Sequence, residues 1–249
     1  MIKLQLIERP TELTDEVQQQ LTEEYKNDHS KCVWKQPYIE KALLAMSHNK
    51  CAYSEQYINQ ESAYMEIDHF KCKDLYEDCV VEWGNLLPSC QKCNRTKWNH
   101  DVVSEPIVNP LIDTPKEFLY VKAFKYYPRD KKGETTIDVL AINDRIHLTN
   151  PRAELGFKIA ENIGNLFESL KSASTPRKQN NTLSKIKSAL EECGPTFEYS
   201  AVISTYILYE DNTFKKLEKY LIEHKLWDED FINIKKTLEE IAMPEKIEK

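Results

Sequence analysis

The chain has 249 residues, 41% hydrophobic and 30% charged, enough to bury one sizeable core or two small ones. Its formal charge of −7 excludes a protein that gathers a polyanion through its overall field, so any nucleic-acid contact must be local or supplied by a partner. No run approaches the ~20 apolar residues of a membrane span, the opening MIKLQLIERPTELTDE is neither signal- nor transit-like, and seven cysteines at irregular spacing argue against a disulfide framework, so a cytoplasmic protein with reduced thiols is expected.

Pro10 to Asn27 reads as a helix entered through proline and acidic residues. Pro37 to Ser47 reads as a second, with Ile39, Leu43, Leu44 and Met46 on one apolar stripe. A compact core is expected over about 49–100. Val102 to Pro115 is loop-like, with Pro106, Pro110 and Pro115, and Phe118 to Tyr127 is strand-like in its aromatic and β-branched content. From Ala153 the pattern is helical over 153–172, 182–192, 198–210 and 212–241, broken at Gly194-Pro195. The fold class expected is α+β, a small ββα hairpin core set in a mostly helical protein. Its organisation would be a helical segment over 1–48, the core with the strand-like stretch over 49–132, and a helical region over 133–249.

Chemistry concentrates between Glu66 and Lys97. The segments EIDHF (66–70), WGNLLPSC (83–90) and QKCNRTK (91–97) place Asp68, His69, Asn85 and Asn94 in order, with Asn85 16 positions after His69 and Asn94 nine after Asn85. That spacing accommodates a strand, a loop, a returning strand and the first turns of a helix. The residue types suit hydrolysis of a phosphodiester, which needs an activated water and a cation to stabilise charge on phosphate and leaving oxygen. His69 can accept a proton near neutral pH. Asp68 and Asn94 offer a carboxylate and an amide oxygen, hard ligands suited to Mg²⁺ or Mn²⁺. Asn85 reads as a brace across the hairpin loop. An isolated Asp-His pair is more often a surface turn, and Cys90 and Cys93 could be merely buried; the ordered conjunction is what favours a site.

These motifs resemble the HNH endonucleases, whose pattern is an acid-histidine pair, an NL-x-x-x-C-x-x-C segment and a terminal His or Asn followed by Lys. Here it reads DHF, NLLPSCQKCN and NRTK, an HNN variant. VWKQPYIEKALLAMSHNKCAYSE (33–55) and TTIDVLAINDRIHLTNPRAELGFKI (135–159) resemble the flanks of one branch, the HNH subunit of Septu-type and retron-linked anti-phage systems. The resemblance covers roughly residues 30–160. It implies a metal-dependent endonuclease that leaves 5′-phosphate and 3′-hydroxyl ends, with an ABC/SMC-like ATPase as partner and DNA as the favoured substrate. Many HNH proteins also hold a structural zinc with two CxxC pairs. Cys90 and Cys93 form the second pair, but the first reads Cys51-Ala-Tyr-Ser54, so Cys72, Cys79 or His48 would have to complete the shell.

Charge offers little help to substrate binding. Residues 65–101 hold five Lys/Arg against seven Asp/Glu. Arg95 and Lys97, beside the last ligand, are candidates for phosphate contact. KEFLYVKAFKYYPRDKK (116–132) interleaves six basic residues with five aromatics, so Lys122, Lys125 and Arg129 are candidates for backbone contact. Residues 170–190 carry Lys171, Arg177, Lys178, Lys185 and Lys187 without an acid, while 191–249 has eight basic and 14 acidic residues and could dock a basic partner. Two other functions fit the motifs: an RNA-cutting effector, and a zinc-ribbon binding module without catalysis.

Overall fold

The computed structural model describes residues 1–58 and 64–246. It is α+β, mostly helical with two small two-stranded sheets. The chain forms two compact units, residues 1–119 with 128–142 and residues 120–127 with 143–249. The first unit takes in both the N-terminal helices and the hairpin that the sequence reading assigned to separate segments.

In the first unit, helix α1 (Asp15–Asn27) starts five residues later than the sequence suggested. Residues 10–13 close a turn instead, with Leu13 N–H on the Pro10 carbonyl at 2.9 Å, and the Thr14 hydroxyl caps the helix by accepting from Val17 N–H at 3.3 Å. Helix α2 (Pro37–Ser47) has the expected limits, with proline in its first turn and His48 left-handed at its end (φ 55°). Strands β1 (Met65–His69) and β2 (Leu86–Cys90) pair antiparallel, His69 opposite Leu86 and Met65 opposite Cys90. Helix α3 (Gln91–Lys97) follows β2 directly and packs on the hairpin. The core under the hairpin joins Leu13 and Tyr25 of the N-terminal part, Ile39, Leu43 and Met46 of α2, Ile67 of β1, and Val80, Val81 and Leu86. Helix α4 (Lys131–Leu140) meets α3, where the Thr96 hydroxyl donates to the Leu140 carbonyl at 3.0 Å.

The strand-like stretch is a short hairpin, β3 (Leu119–Lys122) and β4 (Lys125–Pro128), most of which belongs to the second unit. Helices α5 (Asn150–Lys171), α6 (Pro176–Glu191), α7 (Ser200–Thr205), α8 (Asn212–Glu223) and α9 (Glu229–Ile241) build the rest of that unit around Ile163, Phe167, Ile186, Leu190, Ile203, Phe214, Leu217 and Phe231. Two expectations are corrected here. Helix α6 begins at Pro176, not 182, because the Thr175 hydroxyl caps it and proline suits its first turn. The single helix expected over 212–241 is two: Lys225 turns left-handed (φ 57°) and the Asp228 carboxylate caps a new start by accepting from Phe231 N–H. No helix among the described residues is long and apolar enough to cross a membrane.

Candidate active site and cysteine cluster

Successive side chains of a strand point to opposite faces. Glu66 and Asp68 therefore turn toward α3, while Ile67 and His69 turn toward the apolar core. Asp68 is buried. Its Oδ2 accepts from the Tyr53 hydroxyl at 2.5 Å and its Oδ1 from Lys97 Nζ at 3.0 Å. Burial first, and then the Asp68 charge, raise the Tyr53 pKa well above its ordinary value, so this hydroxyl stays a donor.

His69 lies edge-on to Trp34, ring centroids 4.7 Å apart, and its Nε2 is 2.9 Å from the Val80 carbonyl. A carbonyl only accepts, so Nε2 carries the hydrogen and Nδ1 keeps its lone pair. Burial pushes the pKa down to about 4 against the opposing pull of Asp68, leaving the ring neutral at pH 7.

Asn85 ends a tight turn before β2 and binds the β1–β2 loop with both ends of its amide. Oδ1 accepts from Lys71 N–H at 2.7 Å, and Nδ2 donates to the carbonyls of Lys71 at 3.1 Å and Cys79 at 2.9 Å. Its own carbonyl accepts from Phe70 N–H at 2.8 Å, directly after His69. Asn94 on α3 donates from Nδ2 to Glu66 Oε2 at 2.7 Å, which leaves its Oδ1 as an acceptor. Asp68, His69, Asn94 and Glu66 together line one cavity of about 430 Å³, whose rim carries Lys35, Arg95 and Trp98. All five residues of β1 line it.

The candidate phosphate contacts differ in where their charges point. Lys97 is 2% exposed, and its ammonium points inward to Asp68 Oδ1 and to the His69 carbonyl, the latter at 2.7 Å. Arg129 directs Nε at the carbonyls of Lys116 and Leu119, bracing the start and end of the β3–β4 hairpin. Lys122 pairs with Glu245 at 3.0 Å at the surface, with 60% of its side chain still exposed. The aromatics beside them also pack rather than present a stacking face: Phe124 and Tyr126 are buried, and Tyr120 stacks on Tyr127. Arg95, Lys122 and Lys125 are exposed.

Cys51, Cys90 and Cys93 form a buried group with sulfurs within 4.8 Å of one another. Cys51 reaches it because Ala52 N–H bonds the Pro88 carbonyl of β2 at 2.8 Å, while Cys90 and Cys93 flank the β2–α3 junction. None of Cys72, Cys79 and His48 joins the group, which corrects their candidacy as fourth ligand. Ser54 stands there instead, its Oγ 3.6 Å from Cys90 Sγ. Burial raises the Cys51 pKa, but hydrogen bonds from Cys90, Cys93 and Ser54 outweigh it and hold the thiol well below its ordinary value. The interaction with Cys51 in turn pushes Cys90 up to about 12 and Cys93 well up. Three soft sulfurs and a hydroxyl at this separation can hold a metal ion such as zinc.

The sequence reading gave no role to Tyr53, Glu66 or Val80. Glu66 was accessible from strand alternation, which puts it on the Asp68 face. Tyr53 and the Val80 carbonyl have no sequence signal, because they reach the site only through the fold.

The fold and site thus define a small hairpin-and-helix unit with an acid, a neutral histidine and an amide at one open cavity. No family model and no solved structure matches the chain. It is 38% identical over 235 residues to the Septu protein PtuB of Bacillus thuringiensis, covering 92% of this chain and 90% of that protein. It is 31% identical over 163 residues to the Septu protein PtuB of Bacillus mycoides (strain KBAB4), covering 52% and 53%. The chain belongs to the Septu PtuB family.

Proposed function

We propose that this chain is a metal-dependent HNH endonuclease, the effector of an anti-phage defence complex, acting on DNA. Membership of the Septu family supports the defence role. The observation that carries the nuclease reading is the single cavity lined by Asp68, by His69, whose Nδ1 is unprotonated, and by Asn94, whose amide oxygen is left as an acceptor. The ordering of β1, β2 and α3 supports a ββα-metal hairpin.

The donor set fits a hard divalent cation. Asn94 has its nitrogen tied to Glu66 and its oxygen left over, and each Asp68 oxygen keeps a second lone pair beyond the bond it accepts. Asp68 and Asn94 would hold Mg²⁺ or Mn²⁺, which when bound supplies charge stabilisation at the scissile phosphate and the departing 3′ oxygen. His69 takes a proton from the attacking water at Nδ1, with Val80 fixing its tautomer. Asn85 fixes the loop that carries the Val80 carbonyl, so it positions the base without entering the cavity. Cys51, Cys90 and Cys93, with Ser54, would hold a structural zinc where the strand meets the helix.

The acidic chain has no long-range field to draw in DNA, so recognition is assigned to an ABC/SMC-like ATPase partner. His69→Ala, assayed on DNA and bulk RNA with that partner present, should cut turnover by at least ~10²-fold while the fold persists. Wild-type turnover in the variant would overturn the mechanism. Retained zinc without cutting of either nucleic acid would make the protein a binding module.

A further inference from the structure

We infer that Trp98 is a stacking platform for an unpaired nucleobase next to the bond being cut, so that the site takes single-stranded or locally opened nucleic acid. This rests on the nuclease reading above. The residue follows α3 directly and lines the same cavity as Asp68, His69 and Asn94. It is 75% exposed, and no aromatic ring among the described residues packs against it. An exposed indole is unusual in a molecule whose Trp34 and Trp83 are buried.

The backbone gives an independent indication. Trp98 sits at φ 46°, ψ −132°, a region that glycine favours and a bulky side chain rarely adopts. A strained tryptophan at the mouth of a reactive cavity is the sort of local cost that persists where the side chain is used. Its neighbours suit one ligand. Arg95 and Lys35, which line the same cavity, are exposed cations and offer charge to the phosphates of a strand whose base lies on the indole. A flat π-face flanked by cations is how proteins hold single strands without reading sequence. Glu40, Glu66 and Asp74 also line the cavity, so the rim is not a general anion trap, and the ring has to supply part of the affinity. In a duplex the bases are stacked inside, and this ring could not reach a base face unless one were displaced.

The test uses the full-length chain at low salt with no Mg²⁺ or Mn²⁺ added and no chelator, so that binding is separated from cutting and any structural zinc is kept. Anisotropy of a labelled single-stranded oligonucleotide reads affinity. Trp98→Gly removes the ring and relieves the backbone, so it should melt no lower than wild type yet bind about 5- to 150-fold more weakly. Trp98→Phe should retain most of the affinity. The slope of log affinity against log salt should stay at its wild-type value in Trp98→Gly, because stacking releases no counterions, and fall by about 0.7 in Arg95→Gln. Wild-type affinity in Trp98→Gly, equal losses for single-stranded and duplex DNA, or no binding by the wild type would each overturn the platform. Ring-dependent binding without cutting in Mg²⁺ or Mn²⁺ would uphold it while removing the nuclease reading.

Discussion

Lys97 separates two roles that a lysine beside a nuclease motif could have. As a phosphate contact its loss would weaken substrate binding and leave stability untouched. Its side chain is fully buried, against 4% exposure for the Asp68 side chain, and the charges meet at 3.0 Å. Lys97→Met keeps the length of the side chain and removes the charge, leaving a carboxylate with only the Tyr53 hydroxyl. Breaking a buried pair from one side costs about 3–5 kcal/mol. The surviving Tyr53 bond argues for the lower end, about 3 kcal/mol. At about 2–4 °C per kcal/mol for a chain of this size, Tm should fall by about 6–12 °C. Calorimetry and urea titration would measure it. Adding Asp68→Asn should recover a substantial part, because no buried charge is then left without its partner. If Lys97→Met melts with the wild type and loses only substrate affinity, the buried pair is the wrong account.

His69 gives a pH signature. Its folded pKa of about 4 lies below the ordinary ~6.5, so the native state resists protonation that the unfolded chain accepts. That contribution is complete above about pH 6.5 and is lost as pH falls through the interval to 4, about 3 kcal/mol in all. Urea midpoints of wild type and His69→Gln should therefore diverge between pH 7 and 4.5, with the wild type losing more stability; parallel curves would exclude a buried neutral ring. Cys90→Ser should lose stoichiometric zinc and unfold more readily, since such an ion contributes folding free energy directly. Elemental analysis finding no zinc in wild-type protein purified without chelators would remove that centre.

The hairpin was legible because its requirements are local. Asp68 and His69 follow one another in a short strand, Asn85 must end the loop, and Asn94 must fall in the first turn of the helix, so order and spacing alone constrain them. What was illegible depends on direction. The sequence has Lys97 three residues after Asn94 but does not say that helix geometry turns it under the strand toward Asp68. The basic and aromatic stretch 116–132 looked like a binding face because composition cannot tell a ring that stacks on a ligand from one that packs. Phe124 shows the difference, buried against Tyr206 at 4.5 Å. The helix break at 224–228 was missed because Lys225 carries no side-chain signal for a left-handed turn.

Among the described residues strand β1 pairs with β2 alone, and all five of its residues line the cavity. A bare strand edge invites pairing with another chain, and proteins generally cover or blunt it. Here the Lys97 ammonium covers one end of it by donating to the His69 carbonyl, and the strand borders the cavity proposed to take substrate. Any peptide that added itself as a third strand beside Met65–His69 would act as a plug, competing with substrate through backbone hydrogen bonds alone. If the proposed nuclease function holds, a partner chain that laid a strand along this edge would hold the molecule silent, and one that left it uncovered would permit cutting.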